Sequence, residues 1–78
     1  MPAEAQFDVP RVVVTGSHEV LIEQHTGLFS YETKCVRVRT RQGLIAVSGE
    51  NLIISYFGIQ DLSIQGRVTG IAFQGDAP

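Results

Sequence analysis

Apolar and polar residues alternate along most of this chain, and the alternation breaks at regular points. From Leu28 to Tyr56 the sequence reads LFSYETKCVRVRT, then RQ, then GLIAVSGENLIISY. Leu28-Phe29-Ser30-Tyr31 returns sixteen residues later as Leu44-Ile45-Ala46-Val47, and Thr33 falls on Gly49, Val36 on Leu52 and Val38 on Ile54. Each copy has apolar residues at i and i+2, a break, then two more. Period-two alternation of β-branched and aromatic residues is the pattern of a half-buried strand, and helical spacing does not fit it.

Folding this stretch about Gln42-Gly43 sets Val38 opposite Val47, Thr40 opposite Ile45 and Val36 opposite Gly49. Beyond the break, Thr33 meets Leu52, Tyr31 meets Ile54 and Phe29 meets Tyr56. A slip of one residue would set Arg37 and Arg39 against Val47 and Ile45, which selects against it. A two-residue loop ending in glycine suits a primed turn.

The flanking segments extend the pattern. Arg11 to Gln24 reads as a first strand, interrupted at Thr15-Gly16-Ser17. Its pairing with the second strand changes register by one residue there, which predicts a β-bulge near Gly16-Ser17. Gln24-His25-Thr26-Gly27 reads as the first turn. The last segment, DLSIQGRVTGIAFQ, matches the third strand with Leu62 opposite Tyr56, Ile64 opposite Ile54, Gly66 opposite Leu52, Ile71 opposite Val47 and Phe73 opposite Ile45. Phe57 to Asp61 is then the intervening loop.

The expected fold is all-β, a four-stranded antiparallel meander with strands bent mid-way. The breaks at Gly16, Thr33-Lys34, Gly49-Glu50 and Gly66 line up across the sheet, and bending there would give a small sandwich or open barrel. A short β-solenoid of stacked repeats is the alternative. Residues 1–10 read as a flexible N-terminal tail, 11–74 as a single β domain and 75–78 as a frayed C-terminus.

With 78 residues, the chain is one small domain, able to bury roughly 60–65% of its unfolded surface. A net charge of −2 supplies no overall field towards nucleic acid or anionic lipid. The one cysteine excludes an internal disulfide and fits a reducing compartment. No apolar run approaches the ~18 residues of a membrane-spanning helix. The start, MPAEAQFDVP, lacks the regions of a signal peptide, so a soluble intracellular protein is expected.

Candidate chemistry is sparse. Arg37, Arg39 and Arg41 alternate with Val36, Val38 and Thr40, so they would project from one face as an anion-binding or nucleic-acid-binding ladder. The same alternation makes a solvated face balanced by Glu19, Glu32 and Glu50, and no base-stacking aromatics accompany it; nucleic acid is therefore not the expected partner. Cys35 with His18 or His25 could form a nucleophile and base, but no oxyanion motif or orienting group can be named. The spacing of these residues gives no zinc motif, and the glycines form no phosphate-binding loop. No catalytic residue, cofactor or metal is expected.

In a meander the last strand would be an edge, and residues 62–73 carry one charge, Arg67, and no proline. Long uncharged edges invite strand addition. Homo-oligomer formation by edge pairing, with Ser63, Gln65 and Arg67 at the interface, is therefore expected, unless the N-terminal tail covers the edge.

The chain resembles the YabP/YqfC family of sporulation proteins, closer to the YqfC type. The residues that carry the resemblance are Glu23, His25, Gly27, Tyr31, the run Val36-Arg37-Val38, and Gly43. They continue with Val47, Gly49, Leu52 and Ile54, then Leu62, Ile64 and Gly66, and end with Ile71 and Phe73. The resemblance spans residues ~18 to 73 and rests on structural repeats rather than a catalytic signature. It implies a role in endospore formation, in the mother cell cytoplasm, peripheral at the forespore membrane through a partner. A membrane protein of the YqfD type is the partner it implies. The function expected is a non-enzymatic assembly or adaptor module at the developing spore envelope. The alternative is a small anion-binding or nucleic-acid-binding β domain built on the arginine ladder.

Overall fold

The computed structural model describes residues 9–75. Most of the expected tail, residues 1–8, lies outside the described residues, as do residues 76–78 of the expected frayed end. The strands are β1 Arg11–Thr15, β2 Glu19–Glu23, β3 His25–Glu32, β4 Cys35–Thr40, β5 Gly43–Phe57 and β6 Asp61–Gln74. They form one sheet in the order β1-β2-β6-β5-β4-β3. Every neighbouring pair is antiparallel, and the sheet is open, not closed into a barrel.

This corrects the four-stranded meander and excludes the solenoid. Two of the expected mid-strand breaks are complete reversals. Gly16 adopts the left-handed conformation, φ +56°, and lets the chain double back so that Thr15 pairs with Glu19. Thr33-Lys34 likewise turns the chain, and Glu32 pairs with Cys35. The expected turn at Gln24–Gly27 is instead a crossing between strands that are not neighbours. Gln24, at φ 67°, carries the chain from β2 to β3, and β3 forms the opposite edge of the sheet.

The other two breaks are bends. The β5–β6 ladder holds the expected pairs Ile45–Phe73, Val47–Ile71 and Ile54–Ile64, with register shifts between Ser48 and Gly49 and between Glu50 and Ile53. Leu62 pairs with Phe57 rather than Tyr56, after a third shift near the hairpin end. In the β4–β5 hairpin the pairing is two residues tighter than expected, with Val36 opposite Val47 and Val38 opposite Ile45. Thr40 explains this. Its hydroxyl accepts from the Gln42 amide at 3.1 Å and donates to the Gly43 carbonyl at 2.7 Å, closing a turn at Arg41-Gln42. A shift of two keeps every side chain on its expected face.

All four breaks lie on one transverse line. From the β1–β2 turn, the His18 and Ser17 carbonyls accept the amides of Gly66 and Val68. From the β3–β4 turn, the Lys34 and Thr33 carbonyls accept those of Gly49 and Leu52. The long hairpin is thus pinned at its bend from both sides. One half of the sheet holds β1, β2, the start of β6 and the end of β5. The other holds β3, β4, the start of β5 and the end of β6.

Burial shows that the halves face each other. Val20, Ile22, Leu62 and Ile64 from the first half join Val36, Val38, Ile45 and Val47 from the second, with Leu52 at the bend, in one cluster at 0–1% exposure. A single flat layer exposes both faces to water, so side chains this dry require a second layer. Among the described residues only the sheet itself can supply it. Each such side chain contributes roughly 1.5–3 kcal/mol by burial.

The expectation that residues 62–73 form an edge is overturned for their first part: Asp61–Gln65 pair with β2 on one side and with β5 on the other. From Gly66 onward β6 pairs with β5 alone, and its other side meets the β1–β2 turn at Gly66 and Val68. β1 and β3 end the strand order. The first strand region, by reversing into a hairpin, supplies the neighbour that a meander would have denied β6.

Gly66→Ala should destabilise the domain by about 2–3 kcal/mol. A Cβ there would sit 2.6 Å from the Asn51 carbonyl oxygen, at a φ of +142° that L residues avoid. Ser63→Pro should unfold the chain, because its backbone lies in ladders on both sides. Urea titration followed by circular dichroism checks both; an unchanged midpoint for Gly66→Ala would refute the tight bend.

Candidate functional site

The conspicuous side-chain constellation lies where the two halves of the sheet meet, and His25 is at its centre. Placed in a turn by its sequence neighbours, His25 is the first residue of β3 and is only 6% exposed. Its amide donates to the Gln60 carbonyl at 3.0 Å. Its Nε2 lies 2.9 Å from the Gly58 carbonyl oxygen, and its ring stacks on Phe57 with centroids 5.4 Å apart. A carbonyl can only accept, so Nε2 carries the proton in this contact. Nδ1 is buried without a partner. On its other side His25 pairs with Thr40, which in turn pairs with Gly43. One histidine therefore ties together the two ends of β5.

Tyr31 makes the second tie, nearer the bend. Its hydroxyl donates to the Leu52 carbonyl at 2.6 Å. β3 and the second half of β5 are thus joined at both ends of their seam, by His25 and by Tyr31, without a continuous ladder between them. These contacts are structural. They satisfy backbone groups and present no group to a substrate.

The thiol-and-histidine pairing has no geometric basis. Cys35 lies opposite Glu32 at the turn end of the β3–β4 hairpin, while His25 lies opposite Thr40 at the other end. Five residues of strand separate these positions, roughly 17 Å. His18 is exposed in the β1–β2 turn of the other half. Among the described residues no group of three or more His, Cys, Asp or Glu gathers as metal ligands. A shallow cleft by Val9, Pro10, Glu23 and Gln24 holds the Arg11–Glu23 ion pair, 3.7 Å, at its surface.

The arginine ladder has two rungs in β4 rather than three. Arg37 and Arg39 alternate with buried Val36 and Val38, so both point outward. Arg37 donates to the Ser30 hydroxyl at 3.4 Å, and the Arg39 guanidinium stacks over the Phe29 ring at 5.3 Å. Arg41 lies beyond the strand, in the β4–β5 turn. On β6, Ser63 is half-buried between Leu21 and Tyr56, and Gln65 is exposed between Glu19 and Ile53. Arg67 is exposed opposite Glu50 at the bend. The six residues therefore divide among different surfaces.

Sequence reasoning missed the tip of the β5–β6 hairpin. Tyr56 and Phe57 are 58% and 56% exposed, and Ile59 is 94% exposed. The signal was available in the run Tyr56-Phe57-Gly58-Ile59, three large apolar residues in or beside a loop, where polar residues are the rule. The tip is held firmly, by the His25 contacts and by the Gly58 amide on the Asp61 carbonyl at 2.7 Å.

A family model described as the YabP family matches residues 8–78, and the chain belongs to that family. The uncharacterized protein YqfC of Bacillus subtilis (strain 168) is 26% identical over 73 residues, covering 94% of this chain and 78% of that protein. No solved structure matches. The resemblance read from the sequence is confirmed: this is a YabP/YqfC family sporulation protein, and the family is known as non-catalytic. His25 and Tyr31, two of the residues that carried the resemblance, are the two ties of the seam.

Tyr31→Phe should cost about 1–2 kcal/mol, because the Leu52 carbonyl loses its partner. His25→Ala should cost more, about 2–3 kcal/mol, since the ring contact disappears as well. Denaturant midpoints measure both, and equal, negligible losses would deny the ties any role. Cys35→Ser should leave stability within about 0.5 kcal/mol and spore yield unchanged; a sporulation defect with normal folding would return the thiol to consideration.

Proposed function

From its membership of a sporulation-associated family, we propose that this chain is an adaptor that docks a partner protein at the developing spore envelope. The observation that carries the reading is the rigid apolar tip of the β5–β6 hairpin. An isoleucine with 94% of its surface in water, beside a half-exposed tyrosine and phenylalanine, contributes nothing to its own fold. Clustered exposed apolar side chains of this kind mark interaction surfaces. Aromatic and aliphatic side chains held rigidly lose little entropy on docking, which favours them as anchors.

The expected partner is a membrane protein of the YqfD type, as the family resemblance implies. Its cytoplasmic portion would cover the tip and hold the chain at the forespore membrane, on the mother cell side. Edge pairing plays no part in this reading: Ser63 and Gln65 lie between β2 and β5 and are interior.

A tagged copy in sporulating cells, localised and then recovered with its bound proteins, tests the proposal. The wild type should gather at the forespore membrane and bring down the YqfD-type protein. Ile59→Asp should lose both properties while its denaturant midpoint stays within about 0.5 kcal/mol of wild type, the usual range for surface changes. Unaltered localisation and recovery in Ile59→Asp would overturn the tip as the docking surface.

A further inference from the structure

The folded sheet has two outer faces of unlike charge: the first carries three carboxylates with Arg11 at its edge, and the second carries Arg37 and Arg39 with Glu32 at its turn end. On the first half, the outward positions of β2 and β6 hold Glu19, Glu23 and Asp61, because Val20, Ile22, Leu62 and Ile64 between them point to the core. Glu23 and Asp61 are direct cross-strand partners. Like charges in that position repel, and among the described residues only Glu23 of the three has an ion-pair partner, Arg11. On the second half, Arg37 and Arg39 point outward from β4 and meet no carboxylate among the described residues. Arg39 is exposed, with its guanidinium over the Phe29 ring. Relief also differs between the faces. The acidic face presents partly exposed Leu21 and 58%-exposed Tyr56 in the row through Ser63, whereas the basic face has a low floor of Ala46 and Ala72 beside Arg37. Since the core lies between the halves, the two faces look in opposite directions.

We propose that the chain self-associates face to back, the arginine face of one copy docking on the carboxylate face of the next. A guanidinium from a second copy would relieve the Glu23–Asp61 repulsion and gain charge-assisted hydrogen bonds. Raised Leu21 and Tyr56 would lie over the small residues of the opposing face. The contact joins two different surfaces, so every copy added leaves one face of each kind free, and growth is open-ended unless the rotation closes a ring. Its strength follows from its size. Four strands about 4.8 Å apart and five residues of about 3.3 Å each give on the order of 300 Å² per copy. Both copies together fall well below the ~1,200 Å² of stable complexes. Association is therefore weak in solution, concentration-dependent and salt-sensitive, and it strengthens where the chain is gathered on a surface. It shares Tyr56 with the hairpin tip but needs neither Ile59 nor the membrane partner, so R37E/R39E and Ile59→Asp test it and the adaptor reading separately.

Sedimentation velocity on the purified full chain tests the proposal. The weight-average sedimentation coefficient should rise with protein concentration in 0.1 M salt. It should fall back towards the monomer in 1 M salt, where the screening length drops from about 10 Å to about 3 Å. The double variants R37E/R39E and E19K/D61K should each associate at least about tenfold more weakly than wild type, a loss of one or two charge-assisted contacts. Mixed in equal amounts they should associate again, because one now has two acidic faces and the other two basic faces. Recovery in the mixture also shows that both variants are folded. A wild type that stays monomeric at millimolar concentration in low salt overturns the proposal. So does association indifferent to salt and to both variants. If the wild type is monomeric but binds an oligonucleotide that R37E/R39E does not, the arginine face is an anion site and the self-association is refuted.

Discussion

Everything in this fold depends on the transverse line of backbone hydrogen bonds through the middle of the sheet. The described residues form one sheet rather than two, and a chain of 78 residues is short for a pair of independent sheets. It obtains two layers from one sheet by bending its longest hairpin at Gly49 and Gly66. Gly49 has the Arg67 carbonyl where a side chain would begin, and Gly66 approaches the backbone of Asn51 and Leu52. Such close approach is open to glycine alone. The bend interrupts the β5–β6 ladder, and interrupted ladders leave amides exposed. The turns of the two short hairpins supply the missing acceptors, one from each side. Bend and turns therefore require one another, and the dry core follows from their combination.

The same economy shapes the seams. The side where β3 approaches the end of β5 is held by His25 and Tyr31 rather than by a ladder. A continuous ladder there would bring the sheet closer to a barrel and consume the edge of β3. Two local ties hold the halves over the core and leave the sheet open. β1, the other edge, is five residues long and begins after Pro10. Short edges of this kind resist uncontrolled strand addition.

The character of the outer surfaces follows from the alternation. Side chains that alternate with the core must point outward, so the arginines of β4 and the carboxylates of β2 and β6 end on opposite sides of the molecule. The hairpin tip projects past the core and has no layer over it, which leaves Ile59 in water. Among the described residues, none of these arrangements brings a nucleophile, a base and an electrophilic stabiliser within reach of one another. The chain belongs to a family known as non-catalytic.

Much of this was legible in the residues themselves. Alternation identified the strand segments and assigned nearly every core residue to the inner face. The pairs Ile45–Phe73, Val47–Ile71 and Ile54–Ile64, and the level of all four breaks, followed from matching apolar positions. What the chain does at each break did not. A bulge and a hairpin turn both interrupt a period-two pattern, and Gly16 or Thr33-Lys34 serves either. Whether the strand continues or reverses depends on which neighbour offers hydrogen bonds, and that neighbour lies far along the chain. Ser17 finds Val68 and Thr33 finds Leu52 only once the long hairpin has bent. The strand number, the edges and the burial of His25 are all consequences of those non-local choices. Residue periodicity records which side of a strand faces the core, but it carries no record of which strand lies beside it. Tertiary structure alone decided that.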